Sequence, residues 1–136
     1  MEDSTRIGRS IEKKTVMICD DEVDLIKRYS AALKKYFNVL TVDSGIGCIE
    51  KYMESILRGK KIDVLLLDYR LDDIWGDDVV RKVCELDGTK IILLSAFELE
   101  KDKIDQLKAS NCIVDSMIKP AGLKTLFENV QGAISS

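Results

Sequence analysis

The sequence predicts an α/β fold: a doubly wound (βα)5 three-layer sandwich, with a five-stranded parallel sheet between two layers of helices. Three observations predict it. From Thr15 onward, short apolar runs alternate with longer amphipathic stretches. Two of those runs, 64–67 and 91–94, are apolar at every position, as strands buried on both faces are. The 136-residue length suits one core rather than two, and right-handed crossovers between parallel strands then favour the doubly wound arrangement.

Residues 1–14 are polar and charged without a sustained period and are expected to form a flexible arm, with 15–136 as the folded domain. The first strand is read over 15–19 (TVMIC), followed by a helix over 24–37 and a strand over 38–42 (NVLTV). A helix over about 44–58 leads to the apolar strand at 64–67, then a helix over about 77–86 and a strand over 91–95 (IILLS). A helix over about 98–109, a strand over 113–118 (IVDSMI) and a helix over about 121–133 close the order.

Composition removes several function classes. The chain is 46% hydrophobic and 33% charged, as soluble globular domains are, with a formal charge of -3. Lys and Arg alternate with Asp and Glu along the chain, so no basic stripe is visible and nucleic acid is not an expected partner. No apolar run approaches the roughly 18 residues a membrane span needs, and the first residues lack an apolar signal core. A cytoplasmic protein without a membrane partner is expected. Cys19, Cys48, Cys84 and Cys112 are scattered, with no Cys-x-x-Cys pair; they are expected to be reduced and mostly buried. The chain has no histidine, which removes Ser-His-Asp and Cys-His catalysis, His-containing zinc sites and any role as a phosphohistidine donor. Carboxylates, lysine and hydroxyls remain.

Ligands of doubly wound sheets sit beyond the carboxyl ends of the strands. The residues there are Asp20-Asp21, Asp68, Ser95 and Lys119-Pro120. Three converging carboxylates repel and raise one another's pKa unless a cation compensates, and hard oxygen donors suit magnesium. A metal beside a carboxylate allows that carboxylate to attack phosphorus in line and form an acyl phosphate. Asp68 is the candidate nucleophile, Lys119 a charge partner for phosphoryl oxygens and Ser95 a hydrogen-bond donor to them. Pro120, the single proline, biases Lys119 toward an extended backbone and permits a cis bond.

The runs CDDE, LLLD, LLSA and IKP, in that order, resemble the receiver domain of two-component response regulators over about 15–133. The resemblance implies the flavodoxin-like strand order 2-1-3-4-5. It implies magnesium held by Asp21 and Asp68 directly, by Asp20 through water and by the backbone carbonyl of Arg70. Gly76 and Ala96 match a family glycine and the small residue beside the switch hydroxyl. A signalling phosphoacceptor is implied rather than a classical enzyme, its own phosphorylation and dephosphorylation being its only reactions. Its partners would be a sensor histidine kinase or phosphotransfer protein and a downstream effector. A homodimer through the fourth helix, fifth strand and fifth helix is also implied. The order ends on the fifth helix, so the signal is expected to pass to another protein unless the chain is a fragment.

Some positions depart from the family pattern. Asp72 stands where proline is common, Ser116 where an aromatic residue often rotates on activation, and Ala121 where phenylalanine is frequent. Phe97 is bulky enough to slow water's approach to an acyl phosphate. The acids Asp72, Asp73, Asp77 and Asp78 are read as helix caps rather than a second cation site, and Trp75 as packed beside Ile74. Leu99, Ile104 and Leu107 are expected to serve the core, leaving Lys101, Lys103, Asp105 and Lys108 for a charged partner face. Two other functions are weighed. A haloacid-dehalogenase-type phosphohydrolase wants an aspartate where Arg70 stands. A phosphorylation-independent docking module has no use for clustered acids that cost stability.

Overall fold

The computed structural model describes residues 13–87, 89–109 and 112–135. Most of the expected N-terminal arm, residues 1–12, lies outside them. The elements run β1 (Thr15–Cys19), α1 (Val23–Leu33), β2 (Asn38–Val42), α2 (Gly45–Leu57), β3 (Val64–Asp68), α3 (Gly76–Leu86), β4 (Lys90–Ser95), α4 (Lys101–Lys108), β5 (Ile113–Ile118) and α5 (Leu123–Ser135). All pairings are parallel, and the strand order is β2-β1-β3-β4-β5. The expected fold and strand order are those observed.

Side-chain alternation along β3 divides the core. Leu65 and Leu67 join Cys48 and Tyr52 of α2 and Val79, Val80 and Val83 of α3 on one side. Val64 and Leu66 join Leu25, Tyr29 and Leu33 of α1 and Leu126 and Val130 of α5 on the other. Every residue of β3 is buried, which is why that run shows no polar alternation. Leu99 and Leu107 pack against the first cluster, as expected, and Ile104 is half-buried. No residue of α4 is fully buried. Among the described residues no helix is long and apolar enough to cross a membrane.

Three helix ends differ from the periodic reading, each for a local reason. α1 stops at Leu33 because the amides of Tyr36 and Phe37 both donate to the Leu33 carbonyl and turn the chain into β2. α4 begins at Lys101 because Glu100 is extended and the Ser95 hydroxyl holds Phe97 in a turn. α5 begins at Leu123 because the Tyr29 hydroxyl bonds the amide and carbonyl of Ala121, keeping it out of the helix.

The acidic loop after β3 meets expectation in part: Asp77 and Asp78 stand in the first turn of α3, where negative charge complements the helix dipole. Asp73 caps a helix, but that helix is α2: its two oxygens accept from the amides of Gly45 and Ile46, both at 2.9 Å. Asp77 pairs with Lys103, and Asp78 with Arg81. Ile74 turns inward against Gly45 and the core, so Trp75 next to it turns outward and is 53% exposed. Its ring meets the Arg70 guanidinium at 5.5 Å and the Tyr69 ring at 6.5 Å. The cysteine reading is also corrected. Cys19 and Cys48 are free and buried, but Cys84 and Cys112 form a disulfide. The fold brings the end of α3 beside the start of β5, a proximity their spacing of 28 residues hides.

Two substitutions test these loop contacts. A Cβ on Gly76 would sit 2.7 Å from the Tyr69 carbonyl oxygen and 2.9 Å from its Cα, both backbone atoms. Gly76→Ala is therefore expected to cost about 2 kcal/mol or more in urea unfolding. Asp73→Ala is expected to cost about 1 kcal/mol, the ordinary loss for a helix cap. Midpoints unchanged from wild type would contradict both.

Candidate functional site: an acidic pocket at the strand ends

Parallel strands β1, β3 and β4 end side by side and deliver their last residues to one place. Asp20 follows β1, with its amide bonded to the Val42 carbonyl and its Oδ1 accepting from the Glu22 amide at 2.9 Å. It is fully buried, Asp68 at the end of β3 is 3% exposed, and Asp21 is half-buried. The Arg70 amide donates to Asp68 Oδ1 at 3.2 Å. Lys119 follows β5; its amide donates to the Ser95 carbonyl, and the bond to Pro120 is cis.

The Lys119 ammonium reaches across the pocket, 3.0 Å from Asp20 Oδ2, 3.3 Å from Asp68 Oδ2 and 2.8 Å from Glu22 Oε1. Asp20, Asp21, Asp68 and Lys119 are thus brought together. Glu22 of the CDDE run joins them, although a rule that looks at the residues directly after each strand does not single it out. Ser95 is buried at the pocket's edge, where its hydroxyl donates to the Phe97 carbonyl at 2.6 Å and accepts from the Phe97 amide at 3.1 Å. Among the described residues it makes no bond to the carboxylates. The Phe97 side chain is 69% exposed.

Electrostatics follow from four acids meeting one lysine. Burial pushes the Asp68 carboxyl up to about 6, with the Asp20 charge adding to it and the Arg70 amide and Lys119 opposing. Burial also raises Asp21, helped by the neighbouring Asp72 and Asp20 carboxylates. Burial alone would lower Lys119, but its bonds to Glu22 and Asp20 outweigh that and hold it above the usual lysine range. One oxygen from each of Asp20, Asp21 and Asp68 lies within 4.8 Å of the others. A divalent cation with ligand distances of about 2.0–2.6 Å can bridge such a set. Hard oxygen donors without sulfur or imidazole match magnesium or calcium rather than zinc or copper.

Beyond the pocket, Lys103 of α4 donates to Asp77 of α3 at 2.9 Å and lies 5.8 Å from the Tyr69 ring centre. The Tyr69 hydroxyl donates to the same Asp77 oxygen at 3.4 Å. Lys103, expected on a partner face, also fastens α4 to the residue that follows Asp68.

The raised Asp68 pKa has a definite sign for stability. The folded value lies above the ordinary 3.8, so this group favours the fold most at low pH. That contribution is lost as pH rises through about 6. In the presence of a chelator, Asp68→Asn is therefore expected to gain about 1–3 kcal/mol over wild type at pH 7.5. The gap should narrow toward pH 4. Equal urea midpoints at pH 7.5 would contradict a strained carboxylate.

The model for the response regulator receiver domain family matches residues 16–131. No curated protein sequence matches the chain at a significant level. A CheY-like receiver domain protein from Methanospirillum hungatei JF-1 is similar in structure, with TM-score 0.78, 17% identity, and coverage of 91% of this chain and 95% of its own. A two-component response regulator from Clostridium difficile gives TM-score 0.77 and 20% identity over 90% and 97%. The chemotaxis protein CheY4 of Vibrio cholerae gives 0.78 and 22% over 89% and 98%. At these identities the likeness is one of fold, and it agrees with the family match. The chain belongs to the response regulator receiver domain family of two-component signalling.

Proposed function

We propose that the chain accepts a phosphoryl group on Asp68 from a sensor histidine kinase or phosphotransfer protein. Magnesium, held by Asp20, Asp21, Asp68 and the Arg70 carbonyl, would be the cofactor, and the protein would act in the cytoplasm, with 15–136 as the working domain. The observation that carries this reading is the Lys119 ammonium, which lies 3.3 Å from Asp68 in a pocket with three other acids. A buried carboxylate with an ammonium beside it is placed to attack phosphorus, and the ammonium is at hand to offset the added negative charge of the acyl phosphate that forms.

In this reading an Asp68 oxygen attacks phosphorus as the phosphorus–nitrogen bond of the donor phosphohistidine breaks, and the released imidazole takes up a proton. Magnesium, when bound, neutralises the carboxylates and the phosphoryl oxygens. Lys119 exchanges its contacts with Asp68 and Glu22 for a phosphoryl oxygen. Ser95 releases the Phe97 carbonyl and donates to another, drawing the loop before α4 toward the pocket. The resulting change is read at the surface of α4, β5 and α5 by a downstream effector or a second copy of the chain. With Ser116 in place of an aromatic residue, the switch runs on the Ser95 loop rather than on a paired ring rotation. Turnover is limited to self-phosphorylation from small donors and autodephosphorylation.

Incubation with acetyl phosphate followed by intact-mass spectrometry tests the proposal. Wild type is expected to gain a single phosphoryl adduct with magnesium and none without it, and Asp68→Asn none in either case. An adduct on Asp68→Asn, or labelling of wild type that ignores magnesium, would move the acceptor elsewhere. No adduct where another receiver is labelled would favour the docking module.

A further inference from the structure

Lysines that the sequence scatters are gathered by the fold at the pole opposite the acidic pocket. Around the N-terminal ends of β1 and β2, Lys13-Lys14 and Lys60-Lys61 line one cleft of about 430 Å³, together with Asn38 and Asp63. Asp63, the acid among them, is already engaged, accepting from the Thr15 amide at 2.8 Å. Among the described residues, no carboxylate lies within ion-pairing distance of any of the four ammonium groups. With four lysines and one carboxylate, Asp63, lining it, the cleft carries a net positive charge that an entering anion would offset.

Both lysine pairs stand on fixed backbone. Lys13 and Lys14 are held by Asn38, whose amide donates to the Lys14 carbonyl at 2.9 Å and whose side chain donates to the Lys13 carbonyl at 3.3 Å. Lys60 is fixed by the end of α2: Gly59 adopts φ +70°, and the Lys60 amide donates back to the Ser55 carbonyl at 2.8 Å. That left-handed glycine turns Lys60-Lys61 back across the strand ends. At the last position of α2, Leu57 is 85% exposed, the most of any large apolar side chain described.

We propose that this cleft binds a phosphate-rich anion, either a soluble polyphosphate-type ligand or the headgroup of an acidic lipid. The site is separate from Asp68 and does not depend on phosphoryl acceptance. An ammonium cluster on short, well-held segments binds such a group as a set of point charges. Leu57, which does not line the cleft but lies two positions before its Gly59, is an exposed apolar side chain that a lipid surface would use and a soluble anion would not.

The test uses the whole chain in a chelator, which removes metal from the acidic pocket. Tripolyphosphate binding is measured by calorimetry, and co-sedimentation is measured with phosphatidylcholine vesicles with and without phosphatidylglycerol. Wild type is expected to bind at least one probe, more weakly as salt rises. The doubly reversed Lys60→Glu, Lys61→Glu variant and the milder Lys13→Gln, Lys14→Gln variant are each expected to lose tenfold or more. Lys82→Ala, an exposed lysine of α3 outside the cleft, should bind as wild type does. Loss of vesicle binding in Leu57→Ser with tripolyphosphate binding kept would assign the headgroup; tripolyphosphate binding without vesicle binding would assign a soluble anion. Binding unchanged by both lysine variants, binding lost in Lys82→Ala, or no binding of either probe at low salt would overturn the proposal.

Discussion

One ammonium group against three carboxylates, Asp20, Glu22 and Asp68, with Asp21 beside them, is the constraint on which the rest of this structure depends. Parallel strands that end side by side place Asp20 and Asp68 beyond reach of bulk water, where an uncompensated charge is costly. Lys119 answers part of that cost and cannot answer all of it, so Asp68 keeps a raised pKa even with the lysine beside it. The surrounding architecture serves to hold the repelling groups together. β3 is buried on both faces, the Glu22 amide orients Asp20, the Arg70 amide orients Asp68, and the Ser95 carbonyl anchors the Lys119 backbone. The packed hydrophobic core stabilises a pocket that would relax if left to itself.

Much of this was legible in the sequence because it is carried by periodicity and by strand ends. The apolar runs at 64–67 and 91–94 could belong only to buried segments, and the polar residue after each run had to stand at the sheet's carboxyl edge. Asp68, Ser95, Asp20-Asp21 and Lys119 follow from that rule without knowledge of any contact. What escaped are relations between residues far apart in the chain. Asp73 looked like a cap for the helix that follows it, whereas its partner amides lie on α2, 28 and 27 positions earlier. Cys84 and Cys112 carry no local signal of their pairing. Trp75 turned outward because Ile74 claimed the inward position beside Gly45, and no hydropathy scale distinguishes two adjacent apolar residues on that ground.

The helix ends missed by a few residues have the same origin. Periodicity reports which face of a segment is apolar but not where a side chain from elsewhere takes over a backbone amide. The Tyr29 hydroxyl does so at Ala121, and the Ser95 hydroxyl at Phe97. The basic cleft is the electrostatic version of that blindness. Counted along the chain, the lysines are interspersed with acids; folded, Lys13-Lys14 and Lys60-Lys61 share one hollow while the acids gather at the other end. A net charge of -3 therefore describes neither pole.

The clasp in which Lys103 and the Tyr69 hydroxyl share one carboxylate of Asp77 has a thermodynamic corollary. It joins α4 to the residue that follows Asp68, so any event at one end that opens the clasp changes the free energy of events at the other. Linkage of this kind is reciprocal. A protein that grips α4 only with Lys103 released stabilises the same state of the loop that a modified Asp68 would favour by opening the clasp, and the two then promote each other equally. The listener, in such a molecule, is also a speaker.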